Sequence, residues 1–148
     1  MNQKKNVDGS EEFLISLKPE ILDERGVIRP ILDHPINSVA LVESKKNALR
    51  ANHFHKTDWH YCYVISGCIN YYYRPTGTTS TPKMMQIKVG QMIFTPPMTD
   101  HTMKFPEDTI FLVLSRNPRD QKAYESDVVR VDMIDNEGTI SWEPDSSG

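Results

Sequence analysis

The rhythm of its apolar residues constrains this chain more than any other feature. Short runs rich in β-branched and aromatic residues recur along it: Val27 to Leu32, Ser38 to Glu43, His60 to Ser66, Cys68 to Arg74, Met84 to Val89, Gln91 to Thr95 and Thr109 to Ser115. Gly and Pro punctuate them at Gly26, Pro35, Gly67, Pro75, Gly77, Gly90, Pro96, Pro97 and Pro106. Runs of this length, bounded by turn residues, read as strands. Helix is scarce. Glu11 to Leu17 fits one turn or a strand, and Pro118 to Asp127 is the best helical stretch, with Asn117 as N-cap and Pro118 at the first helical position. Val128 to Val131 reads as a further strand. The expectation is an all-β chain, a sandwich or barrel with at most one or two short helices.

At 148 residues the chain has the size of one domain, large enough for a core without disulfide or metal staples. Residues 13–142 are expected to form it, with a loose tail at 1–12 and a frayed end at 143–148. A net charge of -3 and a pI near 5.9 argue against a dedicated nucleic-acid binder and against a polybasic membrane anchor. The longest apolar run, Ile110 to Leu114, is strand-sized and far short of a membrane span. The polar start, Met1 to Asn6, leads into no signal-like apolar core. Two cysteines, Cys62 and Cys68, cannot form a disulfide framework, so a cytoplasmic protein with free thiols is expected.

Five histidines carry the chemistry: His34, His53, His55, His60 and His101. Residues two apart on a strand share a face, so His53 and His55 aim two imidazoles the same way. His60 can join them only if the chain turns between, and Thr57-Asp58 is suitable turn chemistry. After the turn, His60, Cys62 and Val64 share one face and Tyr61, Tyr63 and Ile65 the other. A second cluster runs from Gly90 to His101. Pro96-Pro97 ends one strand, because proline cannot donate to a ladder, and His101 opens the next with Met103 and Phe105 on its face. His34, before Pro35 in a turn, has no spacing relation to the others. Asp100 reads as a turn residue or as a carboxylate that orients an imidazole.

These segments resemble the two motifs of the cupins, small double-stranded β-helix barrels. The first motif, His-x-His, four residues, an acidic ligand, six residues and Gly, runs here as His53, His55, His60 and Gly67. The second runs as Gly90, Pro96 and His101. His60 stands where the family usually has Glu, Met98 replaces a Gly, and Phe105 stands where Asn often follows. The resemblance covers roughly residues 20–131. It implies one divalent transition metal (Zn, Fe, Ni, Mn or Cu) held by His53, His55, His60 and His101, and a homodimer. Neutral imidazole suits such metals.

A narrower likeness joins Asp23 to Ile28 and Leu49 to Lys56 to nucleotide-sugar epimerases, 3,4-ketoisomerases and the cupin domain of capsular-polysaccharide reductases. It implies a small oxygenated substrate, a keto sugar on a nucleotide diphosphate or a keto acid, undergoing isomerisation or epimerisation. His53 would be the base and Arg50 would meet a phosphate, although Ala51 replaces the Gly of that segment. Tyr71 and Tyr73 are further catalytic candidates, and Met92, Phe94, Met103 and Phe105 are expected to line the interior with Arg50 at the mouth. An iron-dependent oxygenase and a non-catalytic metal- or carbohydrate-binding module remain as alternatives.

Overall fold

A computed structural model describes residues 13–134. The expected tails at 1–12 and 143–148, and the domain's end at 142, lie outside the described residues. Twelve strands and one helix follow in chain order. They are β1 (Leu14–Ile15), β2 (Ile21–Asp23), β3 (Gly26–Ile28), β4 (Ser38–Ser44), β5 (Leu49–His55), β6 (His60–Ser66), β7 (Cys68–Pro75), β8 (Lys83–Lys88), β9 (Met92–Thr95), β10 (Thr99–Lys104), β11 (Thr109–Ser115), α1 (Gln121–Asp127) and β12 (Val128–Arg130). Two five-stranded antiparallel sheets, β1-β9-β6-β11-β4 and β12-β5-β10-β7-β8, face each other as a cupin-type jelly roll, and β2-β3 is a separate hairpin. No helix among the described residues is long and apolar enough to cross a membrane.

Two boundaries differ from the sequence reading. The run Val27 to Leu32 is a strand only through Ile28, because Pro30 cannot donate to a ladder. Ile31 and Leu32 instead pack on the outer face of the first sheet. The helix starts at Gln121, with Asp120 as its N-cap accepting from the Lys122 N–H at 3.1 Å. Asn117 is unavailable for that role. Its N–H donates to Asp58 Oδ1 and its carbonyl accepts from the Ser38 hydroxyl, which ties it to the barrel.

The apolar core divides in two. Between the sheets lie Cys62, Val64, Ile69, Tyr71, Tyr73, Ile87, Ile93, Met103, Phe105 and Phe111. Outside the first sheet, Tyr61, Tyr63, Met92 and Leu114 are covered by Leu17, Ile31, Leu32 and Ile36. This corrects the expected position of Met92 and Phe94. They do share a face, but it is the outer one. In the β6–β9 register, Cys62 stands opposite Ile93 and His60 opposite Thr95. Directly opposed residues share a face of a sheet. With His60 and Cys62 inward, Ile93 and Thr95 go inward and Met92 and Phe94 outward.

Two tight places position the site. Gly67, at φ +88°, joins β6 to β7 so closely to β11 that an added Cβ would lie 2.3 Å from Thr109 Oγ1. In β5, the register against β10 slips between His53 and Ala51, and Ala51 and Asn52 both take positive φ, +68° and +60°. Such a bulge inserts one extra residue and re-aims its neighbours. Arg50, three residues from His53, consequently lines the same cleft.

Candidate functional site

The four motif histidines lie together at one end of the barrel interior, on the wall of a cleft of about 170 Å³. β5 supplies His53 and His55, and His101 of β10 stands directly opposite His53 in the same sheet. His60 comes from β6, in the other sheet, and meets His55 across the interior with Nε2 to Nε2 at 2.9 Å. Ring centroids are 4.7 Å apart for His53 and His55 and 4.8 Å for His53 and His101. The expected single point of four nitrogens is not formed. The ligand atoms fall into two overlapping triads, each with its members within 4.8 Å of one another: His53, His55 and His101, and His55, Asp58 and His60. The sheets cause the division, since His53 and His101 are neighbours in one while His60 projects from the other. His55 alone belongs to both sets.

Three of the imidazoles are held from behind. His55 Nδ1 lies 3.2 Å from Asp127 Oδ2, His60 Nδ1 2.7 Å from the Ser115 hydroxyl, and His101 Nδ1 2.9 Å from the Thr99 carbonyl. Each partner leaves Nε2 facing the cleft. His53 has no hydrogen bond among the described residues, and its ring meets those of His55, His101 and Tyr124 edge-on.

Burial sets the protonation. It pushes His53 down to about 2, helped by His101, His55 and Arg130, and His101 down to about 4, against the Thr99 carbonyl. Burial also lowers His55, in spite of Asp127 and Asp58, and lowers His60 well below its ordinary value. All four are therefore neutral near pH 7. Burial alone would raise the Asp127 carboxyl. Hydrogen bonds from the Thr57 hydroxyl and N–H, the Asp58 N–H and His55 hold it below its usual range instead. Asp58 goes the other way, raised by burial.

Neutral imidazoles anchored through Nδ1 suit a divalent metal, whose histidine ligands characteristically donate their second N–H to a carboxylate or carbonyl. The donor atoms fit such an ion. The 2.9 Å contact between two Nε2 atoms requires a proton or a cation between their lone pairs. His60 Nε2–H donating to His55, with the Ser115 hydroxyl donating to His60 Nδ1, meets that need by a proton.

The remaining candidates separate. Met103 lines the cleft with Cys62, whose thiol burial pushes up to about 12. Arg50 lines it too, but its guanidinium donates to Ser44 Oγ and the Glu43 carbonyl. Phe105 is fully buried deeper in the barrel, stacked on Phe111. Tyr71 and Tyr73 point inward beneath His101, and the Tyr71 hydroxyl is engaged with Thr95 Oγ1 at 2.6 Å. Asp100 is hydrogen-bonded to no imidazole among the described residues. It accepts from Arg74 and Thr76. His34 is exposed and packs edge-on against Trp59.

Sequence reasoning did not single out Asp58 as more than a turn residue, nor Asp127, Arg119 or Tyr124. The spacing His55-x-x-Asp58-x-His60 does place a carboxylate between two imidazoles and was a usable signal. Asp127 lies 72 residues from His55 and left no such trace.

No protein-family model and no curated protein matches the sequence. Solved structures do resemble the fold. The QdtA 3,4-ketoisomerase of Thermoanaerobacterium thermosaccharolyticum, a double mutant in complex with TDP, aligns at TM-score 0.64 and 24% identity over 79% of this chain and 85% of that one. The dTDP-4-dehydrorhamnose 3,5-epimerase of Sulfolobus tokodaii aligns at TM-score 0.57 and 16% identity over 70% and 69%. The capsular polysaccharide assembling protein CapF of Staphylococcus aureus aligns at 0.58 and 17%, over 80% of this chain but 34% of its own. At these identities the likeness is one of fold.

Proposed function

We propose that this protein isomerises or epimerises a keto sugar, carried on a nucleotide diphosphate, by moving a proton at the histidine-lined cleft. The observation that carries the reading is His53, a neutral imidazole without a hydrogen bond among the described residues, on the wall of a cleft sized for a small substrate. Support comes from fold neighbours described as a 3,4-ketoisomerase with bound TDP and a 3,5-epimerase of a dTDP-keto sugar.

In this reading His53 takes the proton from the carbon beside the carbonyl, and the bond's electron pair moves into the carbonyl as an enediolate. Returning a proton to the same carbon from the other face epimerises it. Protonation of the former carbonyl carbon, with the proton of the adjacent hydroxyl passing to the former carbonyl oxygen, moves the carbonyl by one position. No oxidant or reductant is consumed. His101, anchored to the Thr99 carbonyl with its ring centroid 4.8 Å from that of His53, is a second proton carrier. Arg119 borders the cleft, has no hydrogen-bond or ion-pair partner among the described residues, and is suited to an anionic oxygen of the substrate. A divalent transition metal belongs to the same reading as a Lewis acid for the carbonyl oxygen.

The protein also acts as a homodimer in this proposal. Ile21, Leu22 and Ile28 of the isolated hairpin and Val39 and Leu41 of the edge strand β4 leave apolar surface exposed for a second copy. Sedimentation at micromolar concentration tests it.

The central test is turnover in D2O with TDP-4-keto-6-deoxyglucose, the compound bound in a mutant of the ketoisomerase neighbour. Deuterium entering the sugar ring, followed by NMR and lost in His53→Asn, is the expected result. A sugar that stays fully protonated with the native protein would overturn the reaction class. One observation favours a second reading: His55, Asp58 and His60 form the two-histidine, one-carboxylate set of non-haem iron oxygenases. Oxygen consumption by the iron-loaded protein with candidate substrates separates it.

A further inference from the structure

We propose that the metal site of this protein is His55, Asp58 and His60, two motif histidines joined by a carboxylate outside the cupin motif, and that His53 and His101 are not ligands. The inference concerns the cofactor of the site assigned above. It rests on that reading only for the roles left to His53 and His101.

The three ligand atoms are already assembled. His55 Nε2 and His60 Nε2 are 2.9 Å apart, and Asp58 Oδ2 is 3.7 Å from His60 Nε2. Asp58 divides its labour between its oxygens. Oδ1 accepts the N–H groups of Trp59 and Asn117, both at 2.9 Å, and so fixes the turn. Oδ2 accepts no hydrogen bond among the described residues and faces the two imidazoles. Both rings are braced at Nδ1, by Asp127 and by Ser115. Such bracing fixes the ring and the tautomer that a metal ligand needs.

The space agrees. The triad opens on a cavity of about 20 Å³, room for a single ion or water, bordered also by Ser115, Asn117, Arg119 and Asp127. The substrate-sized cleft lies next to it and shares His55 and His60 with it. An ion in the small cavity would reach ligands in the large one without filling it.

Charge separates this triad from the one formed by His53, His55 and His101. Arg119 borders both cavities, so the difference lies in the other charges: among the described residues no carboxylate lines the large cleft, which Arg50 also borders, whereas Asp58 and Asp127 line the small one. A dication on three neutral imidazoles would leave two uncompensated charges in a buried site, whereas Asp58 removes one of them. His55 cannot serve both sets at once, because its Nδ1 belongs to Asp127 and only Nε2 is left. With the ion at Asp58, His53 keeps its lone pair and is free to carry protons.

The test titrates the chelator-treated full chain with Co2+, whose visible absorption reports coordination, and repeats the titration with variants. Asp58→Asn and His60→Gln are expected to weaken Co2+ binding by more than about 100-fold, beyond the 10–100-fold seen for lost bracing groups. His53→Gln and His101→Gln are expected to keep affinity within about threefold, with an unchanged spectrum. Loss of binding in His53→Gln or His101→Gln, with Asp58→Asn intact, would overturn the assignment. So would a native protein that takes up neither Co2+ nor Zn2+ at micromolar concentration. Asp58 also fixes a turn, so a second measurement needs no variant. X-ray absorption of the zinc-loaded native protein should count two imidazoles and a carboxylate, and three imidazoles would sink the proposal. Metal bound at these residues without sugar turnover would remove the proposed reaction and leave the site standing.

Discussion

The two ends of the barrel interior are built from the same strands and held by opposite means. β10 runs from His101 through Met103 toward Phe105, and β7 runs back from Ile69 and Tyr71 to Tyr73, with His101 paired to Tyr73 and Met103 to Tyr71. At one end lie Ile69, Ile87, Phe105 and Phe111, none more than 2% exposed. At the other lie His53, His55 and His101, exposed by 7%, 2% and 2%. Burial is nearly equal, so burial is not the difference. The apolar end is stabilised by filled volume. The polar end persists because its rings stay neutral, because Asp127 and Thr99 hold His55 and His101 from behind, and because Ser115 holds His60 on the facing sheet. Strand alternation supplies both faces, and the chemistry of each end depends on what stands behind the side chains.

The largest expected effect breaks the apolar end alone. Phe105→Ala removes a fully buried ring stacked on Phe111 and should cost roughly 3–5 kcal/mol in urea unfolding. Metal affinity of the folded fraction should be unchanged, and a large drop would show that the two ends are coupled.

Acid should break the polar end alone. A histidine at about 4 when folded and about 6.5 when unfolded is neutral in both states above pH 6.5 and adds no pH dependence there. Below 6.5 the unfolded chain takes up the proton first, so stability falls until pH 4. His101 by itself accounts for about 3 kcal/mol across that window, and His53 acts in the same direction down to about 2. Urea midpoints at pH 7.5 and 4.5 measure this. A midpoint that rises on acidification would contradict neutral buried rings. The Phe105→Ala protein should keep the same slope.

Asp127→Ala sharpens the comparison by removing the support and leaving the rings. Four groups lose their acceptor: the Thr57 N–H and hydroxyl, the Asp58 N–H and His55 Nδ1. Unfolding free energy should fall by roughly 1–3 kcal/mol. The His55 ring signals should broaden in NMR spectra while those of His101, held by Thr99, stay sharp.

The smallest effect concerns backbone strain at the site. Ala51 and Met98 stand where the resembling motifs have Gly, and both keep a positive φ, +68° and +57°. The left-handed region costs a non-glycine residue roughly 1–2 kcal/mol, and a new glycine gives back about half in chain entropy. Ala51→Gly and Met98→Gly should each stabilise by about 0.5–1 kcal/mol, read from thermal melts with the four clustered histidines unaltered.

Much of the molecule was legible before any coordinates. Turn residues at Gly67, Gly90 and Pro96-Pro97 bound real strands, because a residue that cannot donate or that needs positive φ ends a ladder wherever it falls. His53 and His55 share a face because the strand period is two, and Cys62 faces inward with His60 for the same reason. The motif spacing brought His101 to His53, and β5 and β10 do pair there.

What remained was decided by contacts between elements. Gln91 to Thr95 is apolar on both faces, so only pairing with β6 determined that Ile93 points in and Met92 out. The bulge at Ala51 and Asn52 changed the parity of β5 between Arg50 and His53, which alternation alone misreads. Asn52 closes that bulge by accepting from Thr102 and the Met133 N–H and donating to the Ile134 carbonyl, partners far away in the chain. Local sequence determines period, turn chemistry and which residue types are present. It carries no information on which sheet lies opposite. For that reason four histidines at one end of a barrel were foreseeable, while their division into two sets around His55, with Asp58 beside one and Asp127 behind it, appeared only once the two sheets had closed.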